Sequence, residues 1–127
     1  MTWVNRTLIQ LPFHLGLSTS EADYHKKLRY LKIPVKDWPP FLKTATSDAT
    51  TQFFNDGDGK LCVVICFGPR GRLSKAQIAA LICHEAVHVW QEVMLDWGEE
   101  KPSTEFMAYG IQSITQTLLE ILWKRKT

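Results

Sequence analysis

Leu61-Cys62-Val63-Val64-Ile65-Cys66-Phe67 is apolar at every position. A strand on a half-exposed sheet alternates polar and apolar residues. An unbroken apolar run of this length therefore predicts a strand buried between two layers. Gly68-Pro69-Arg70-Gly71 breaks it. Upstream, Thr50 to Phe54 is a second strand candidate, and the turn-rich Asn55-Asp56-Gly57-Asp58-Gly59-Lys60 joins the two runs as a hairpin. Downstream, Ser74-Lys75-Ala76-Gln77 fits a capping box and opens a helix that runs to about Trp97 and stops at Gly98.

That helix is apolar over a wide arc: Ile78, Ala79, Ile82, Cys83, Ala86, Val89, Trp90, Val93 and Met94. The remaining narrow stripe carries Gln77, Leu81, His84, His88, Gln91 and Leu95. Within it lies His84-Glu85-Ala86-Val87-His88, an H-E-x-x-H motif. Residues four apart share one face of a helix, so the two imidazoles can converge on one ion. Glu85 points about 100° further round, where it can serve a water rather than the metal. A catalytic zinc takes three protein ligands and leaves the fourth position to water. Two of the three are thus in hand.

The other segments supply the frame. Thr7-Leu8-Ile9-Gln10-Leu11 reads as a short strand or extended arm ending at Pro12. Thr19 or Ser20 caps a helix that begins at Glu21, carries Tyr24, Leu28 and Leu31 on one face, and ends at Ile33-Pro34. Trp38-Pro39-Pro40 marks a loop packed by its aromatic residues. Glu99-Glu100-Lys101-Pro102 is a linker, after which Ser103 or Thr104 caps a last helix reaching about Lys124. Its apolar stripe is Met107, Ile111, Ile114, Leu118 and Ile121. The expected fold is α+β: one domain over residues 1–127, with a small mixed or antiparallel sheet and the two long helices packed against it.

Composition narrows the function classes. The net charge is +2 and the basic residues are dispersed apart from Lys124-Arg125-Lys126, which argues against a nucleic-acid-binding role and leaves that tail as a solvated end. The first residues lack the apolar core of a signal peptide, and no run is long enough to span a membrane. Three cysteines in apolar runs, Cys62, Cys66 and Cys83, suit buried thiols in a reducing compartment, so a cytoplasmic location is expected. His14 and His25 read as surface or structural histidines. Asp58-Gly59 hints at a calcium loop. However, aligning it to such a loop puts Phe54 and Ile65 where the first and last oxygen ligands belong, which excludes calcium.

The third zinc ligand must come from elsewhere. No His or Cys follows His88, and Glu92 and Asp96 share its helix and cannot fold back onto the ion. Among Glu99, Glu100, Glu105 and Glu120, Glu105 is the choice, in the first turn of the last helix, where an antiparallel return can bring it near. At this point the chain resembles the gluzincins, zinc metallopeptidases with H-E-x-x-H on one helix and a Glu on the next; the likeness covers residues 61–112. Leu11-Pro12-Phe13-His14-Leu15-Gly16, taken with His84 to Gln91, also resembles small metallopeptidase-like proteins of phages and prophages, which would put the protein in a host cytoplasm. The resemblance implies a zinc-dependent endopeptidase acting on a peptide or protein substrate. It implies zinc on His84, His88 and Glu105 and general-base chemistry by Glu85. It also implies that an antiparallel edge strand holds the substrate, with residues 61–67 the sheet segment expected nearest the site. Tyr109, four residues past Glu105, shares its face and can donate a hydrogen bond to an oxyanion. The competing expectation is a binding protein on the same scaffold that keeps zinc without turnover.

Overall fold

The computed structural model describes residues 14–44, 48–55 and 60–124. The arm expected at residues 7–11, the tip of the hairpin at residues 56–59 and the end of the basic tail lie outside them. In chain order the elements are β1 (His14–Ser18), α1 (Glu21–Tyr30), a short 3-10 turn (Val35–Asp37), β2 (Ala49–Asn55), β3 (Leu61–Phe67), α2 (Lys75–Trp97) and α3 (Thr104–Lys124). The class is α+β, and the sheet is mixed.

The described sheet has three strands in the order β1-β3-β2. β3 is central, parallel to β1 and antiparallel to β2. Every residue of β3 is buried. Leu61, Val63, Ile65 and Phe67 enter the core shared with α2 and α3, whereas Cys62, Val64 and Cys66 enter a second core beneath α1. The uninterrupted apolar run thus has its expected cause, a strand with helices over both faces. β1 lies beyond the arm that the sequence suggested. It is only five residues long, and its pairing partner is more than forty positions away, so no local pattern marks it.

Helix ends follow their capping signals. Ser20 accepts a hydrogen bond from the Asp23 N–H at 3.1 Å. Ser74 and Gln77 form both halves of a capping box. Gly98 closes α2 at φ 71°, a left-handed conformation that suits glycine. Ser103 Oγ accepts from the Phe106 N–H at 3.1 Å at the start of α3.

α3 returns antiparallel along α2 and lies closest to it at Gly110. A methyl group there would stand 2.1 Å from Cζ3 of Trp90, so the helices approach only because the side chain is absent. Phe106 packs edge-on against the same indole, with ring centroids 5.1 Å apart. The stripe expected on α3 holds at its centre, where Ile114 and Leu118 are buried, but drifts at its ends. Met107 is exposed, while Gly110 and Leu122 are buried.

On the other face of the sheet, α1 carries a buried polar cluster. The Lys27 side chain is wholly buried and pairs with Asp23, and Ser18 Oγ donates to the same carboxylate at 2.8 Å. Tyr24 OH donates to the Pro39 carbonyl at 3.0 Å, and Trp38 Nε1 donates to the Ile33 carbonyl at 2.8 Å. His25 stacks on Trp38 at 4.9 Å, consistent with its reading as a structural histidine.

Candidate active site

The polar stripe of α2 is its exposed face. Gln77, His84, His88, Gln91 and Leu95 are all exposed, and Leu81 is half-buried. The Nε2 atoms of His84 and His88 stand 3.1 Å apart, and their rings meet edge to face at 4.7 Å. Two nitrogens each about 2.0–2.1 Å from a tetrahedral zinc are roughly 3.3–3.4 Å apart, so the pair needs only a small adjustment to share one ion. Binding requires both Nε2 lone pairs, with the ring protons on Nδ1.

Glu85 does not share that exposure. It is 5% accessible and turns from α2 toward the sheet. Thr51 Oγ1 on β2 donates to its Oε1 at 2.5 Å. Its Oε2 lies 3.9 Å from His84 Nε2, too far for a hydrogen bond. Among the described residues, Thr51 is the only hydrogen-bond donor to this carboxylate. One neutral hydroxyl offsets little of the cost of burying a carboxylate. A cation beside Oε2 would complete its environment. Two imidazoles at this spacing are ligands of the kind zinc takes, two of the three protein ligands a catalytic site uses.

The sequence placed residues 61–67 nearest the site, but β3 is central and its side chains fill the cores. The strand that touches Glu85 is β2, an antiparallel edge of the described sheet. Thr51 was not singled out by the sequence. It pairs with Ile65 and so faces α2, between the inward-facing Ala49 and Phe53. The available signal was a polar residue set between two inward-facing apolar ones, Ala49 and Phe53.

The remaining site residues stay apart from the pair. Glu105 and Tyr109 are exposed on the first turns of α3. At 100° per residue Glu105 points about 140° away from Gly110, the residue that seats α3 on Trp90. Among the described residues no set of three or more His, Cys, Asp or Glu side chains comes together to hold a metal. Cys83 is also not the core residue its position in the apolar arc suggested. It is exposed, because α3 covers α2 around Trp90 and leaves Cys83 beside an open groove of about 870 Å³ lined by Ala108, Gln112, Gln116 and other α3 residues. Cys62 and Cys66 are buried thiols as expected, and burial pushes the Cys66 thiol well above its ordinary range. Among the described residues, no helix is long and apolar enough to cross a membrane.

Comparison with protein-family models, with curated proteins and with solved structures found no match to this chain.

Proposed function

We propose that the protein is a zinc-dependent endopeptidase. The observation that carries this reading is the α2–β2 arrangement: two imidazole nitrogens 3.1 Å apart, with a buried carboxylate beside them whose Oε2 is 3.9 Å from His84 Nε2. A chance H-E-x-x-H on a solvated face gives no reason for its glutamate to be buried against the sheet.

His84 and His88 are the proposed zinc ligands through Nε2. Glu105 is the proposed third; it stands on the side of α3 turned away from Gly110, so the reading requires the first turns of α3 to rearrange when metal binds. Bound there, zinc would supply a Lewis acid and lower the pKa of water from about 16 toward 7. Glu85 accepts a proton at Oε2 and returns it to the leaving amine. Its burial keeps bulk water away from that oxygen and strengthens its local interactions. Tyr109, exposed one turn beyond Glu105, is the proposed hydrogen-bond donor to the oxyanion. The outer edge of β2, unpaired among the described residues, suits an extended peptide added as a further strand beside Glu85. Three free cysteines favour a reducing compartment such as a cytoplasm.

The test is metal content together with cleavage of a random peptide library read by mass spectrometry. Purified protein should take up about one zinc per chain and cleave library members, and a chelator should stop it. Glu85→Gln should keep zinc and lose cleavage. His88→Ala should lose zinc. Glu105→Ala should weaken zinc binding by about 10-fold or more, as loss of a ligand or its support does. A wild-type protein that takes up no zinc sinks the proposal.

A further inference from the structure

Resting on the peptidase reading, we infer that Thr51 is a positioning residue for Glu85, fixing which carboxylate oxygen faces the histidine pair. Glutamate has three rotatable side-chain torsions, and a carboxylate on a helix surface samples many of them. Here the side chain crosses from α2 to the sheet and is held at its far end. Thr51 Oγ1 donates to Oε1 at 2.5 Å, which leaves Oε2 as the oxygen on the His84 side at 3.9 Å. The restraint is non-local. Thr51 belongs to β2 and Glu85 to α2, thirty-four positions later, so the hydrogen bond ties the base to a different element from the one that bears it.

The strand makes Thr51 a rigid anchor. β2 pairs with β3 along its whole length, from Ala49 opposite Phe67 to Asn55 opposite Leu61. Ile65, the cross-strand partner of Thr51, is fully buried. Threonine also suits the task chemically. Its branched Cβ restricts χ1 and fits a strand, so the hydroxyl is aimed at little entropic cost. Valine would keep that shape and remove the donor. Serine would keep the donor and loosen the rotamer. The neighbouring polar side chains of β2 are committed elsewhere: Thr50 Oγ1 accepts from the Lys43 N–H at 2.9 Å, and Gln52 Nε2 donates to the Pro40 carbonyl at 2.9 Å, both away from α2.

The test compares Thr51→Val and Thr51→Ser in the full chain, using the best-cleaved peptide of the library. Thr51→Val should lower kcat by about 10- to 100-fold, the scale of a misplaced catalytic group, while leaving KM and zinc content as in the wild type. Thr51→Ser should restore most of the lost kcat. In a Glu85→Gln background Thr51→Val should change the residual rate little, because the two residues act as one unit. A readout independent of turnover is the urea midpoint of the zinc-free protein, lowered by Thr51→Val and returned toward wild type by Thr51→Ser. If the wild type is active and Thr51→Val keeps its kcat, or if kcat falls only together with zinc content and KM, the positioning role is wrong and the peptidase reading stands. A wild type without zinc-dependent cleavage ends both.

Discussion

Two polar clusters lie on opposite faces of the same sheet, and they solve burial differently. Beneath α1, Lys27 is wholly buried, but its charge meets Asp23, and Ser18 adds a hydrogen bond to the same carboxylate. Burial pushes the Asp23 carboxyl up, but hydrogen bonds from Lys27 and Ser18 and the Lys27 charge outweigh it and hold the group below the ordinary carboxylate range. The ionised groups of this cluster are matched to one another, with Asp23 partly exposed at its edge. On the α2 face Glu85 is as deeply buried as a core residue, yet among the described residues it has one hydroxyl for company, and its other oxygen lies on the side of the exposed His84. A charge buried for stability is matched within the protein. A charge buried for chemistry is left partly unmatched toward the place where a cation or substrate arrives. The first cluster is a matched ion pair, and the second has the form of a site.

The contrast breaks if the two clusters respond alike. On the open side, Glu85→Gln should cut turnover by about 10²–10⁴-fold, the share supplied by general acid–base catalysis, with little change in the urea midpoint. On the matched side the effect should be on stability alone. Asp23→Ala removes the carboxylate that pairs with the buried Lys27 and should cost about 3 kcal/mol, the low end for a broken buried pair because Asp23 is itself partly exposed. Lys27→Met, which removes the charge and keeps the volume, should stay within about 1 kcal/mol of the wild type. Chemical denaturation of the three variants, paired with peptide cleavage, measures both sides at once. If Asp23→Ala lost activity while keeping its midpoint, the matched cluster would have a function the structure does not suggest.

A smaller effect tests how α3 is seated beside the open site. Gly110→Ala improves helix propensity by about 1 kcal/mol, but its methyl group would sit 2.1 Å from a ring carbon of the buried Trp90. Overpacking of that kind costs about 1–3 kcal/mol. Trp90 is buried and packed edge-on against Phe106, so the clash should outweigh the propensity gain, by up to about 2 kcal/mol net. If the first turn of α3 carries a zinc ligand, the same variant should weaken zinc binding without touching His84 or His88. A variant as stable as the wild type would mean that the indole has room to move.

What the sequence reveals and what it hides divide along the same line. Elements governed by neighbours in sequence are legible. Ser74 and Gln77 announce α2, Gly98 ends it, Ser20 opens α1, and the run from Leu61 to Phe67 declares a doubly covered strand. The histidine pair is legible too, because four-residue spacing on a helix is a local fact. The burial of Glu85 is not, since it depends on a strand thirty-four positions upstream. Cys83 lies in an arc that is apolar by composition, but whether α3 covers it depends on where Gly110 lets the helices touch. Lys27 left a clue in its spacing from Asp23, four residues earlier on α1, but that spacing is as common on solvated faces. Only the packing of α1 on Cys66 and its neighbours makes it a buried pair.

The gentlest perturbation is acid, and its sign follows from Asp23. A carboxyl held below its unfolded value binds its proton more weakly when folded. The stability it contributes is therefore present above the unfolded pKa, near 3.9 for aspartate, and is lost as pH falls through the lower folded value. Below that point the ionised carboxylate opposite the buried Lys27 is gone. The urea midpoint of the zinc-free wild type should thus fall below about pH 4, beyond the general loss shared by all carboxylates. Asp23→Asn cannot titrate at that position, so it should start lower at neutral pH and fall less steeply over the same interval. The difference between the two curves isolates the matched cluster without disturbing the open one. Parallel curves would mean that the Asp23–Lys27 pair contributes no net stability, and the comparison between the two faces would then rest on geometry alone.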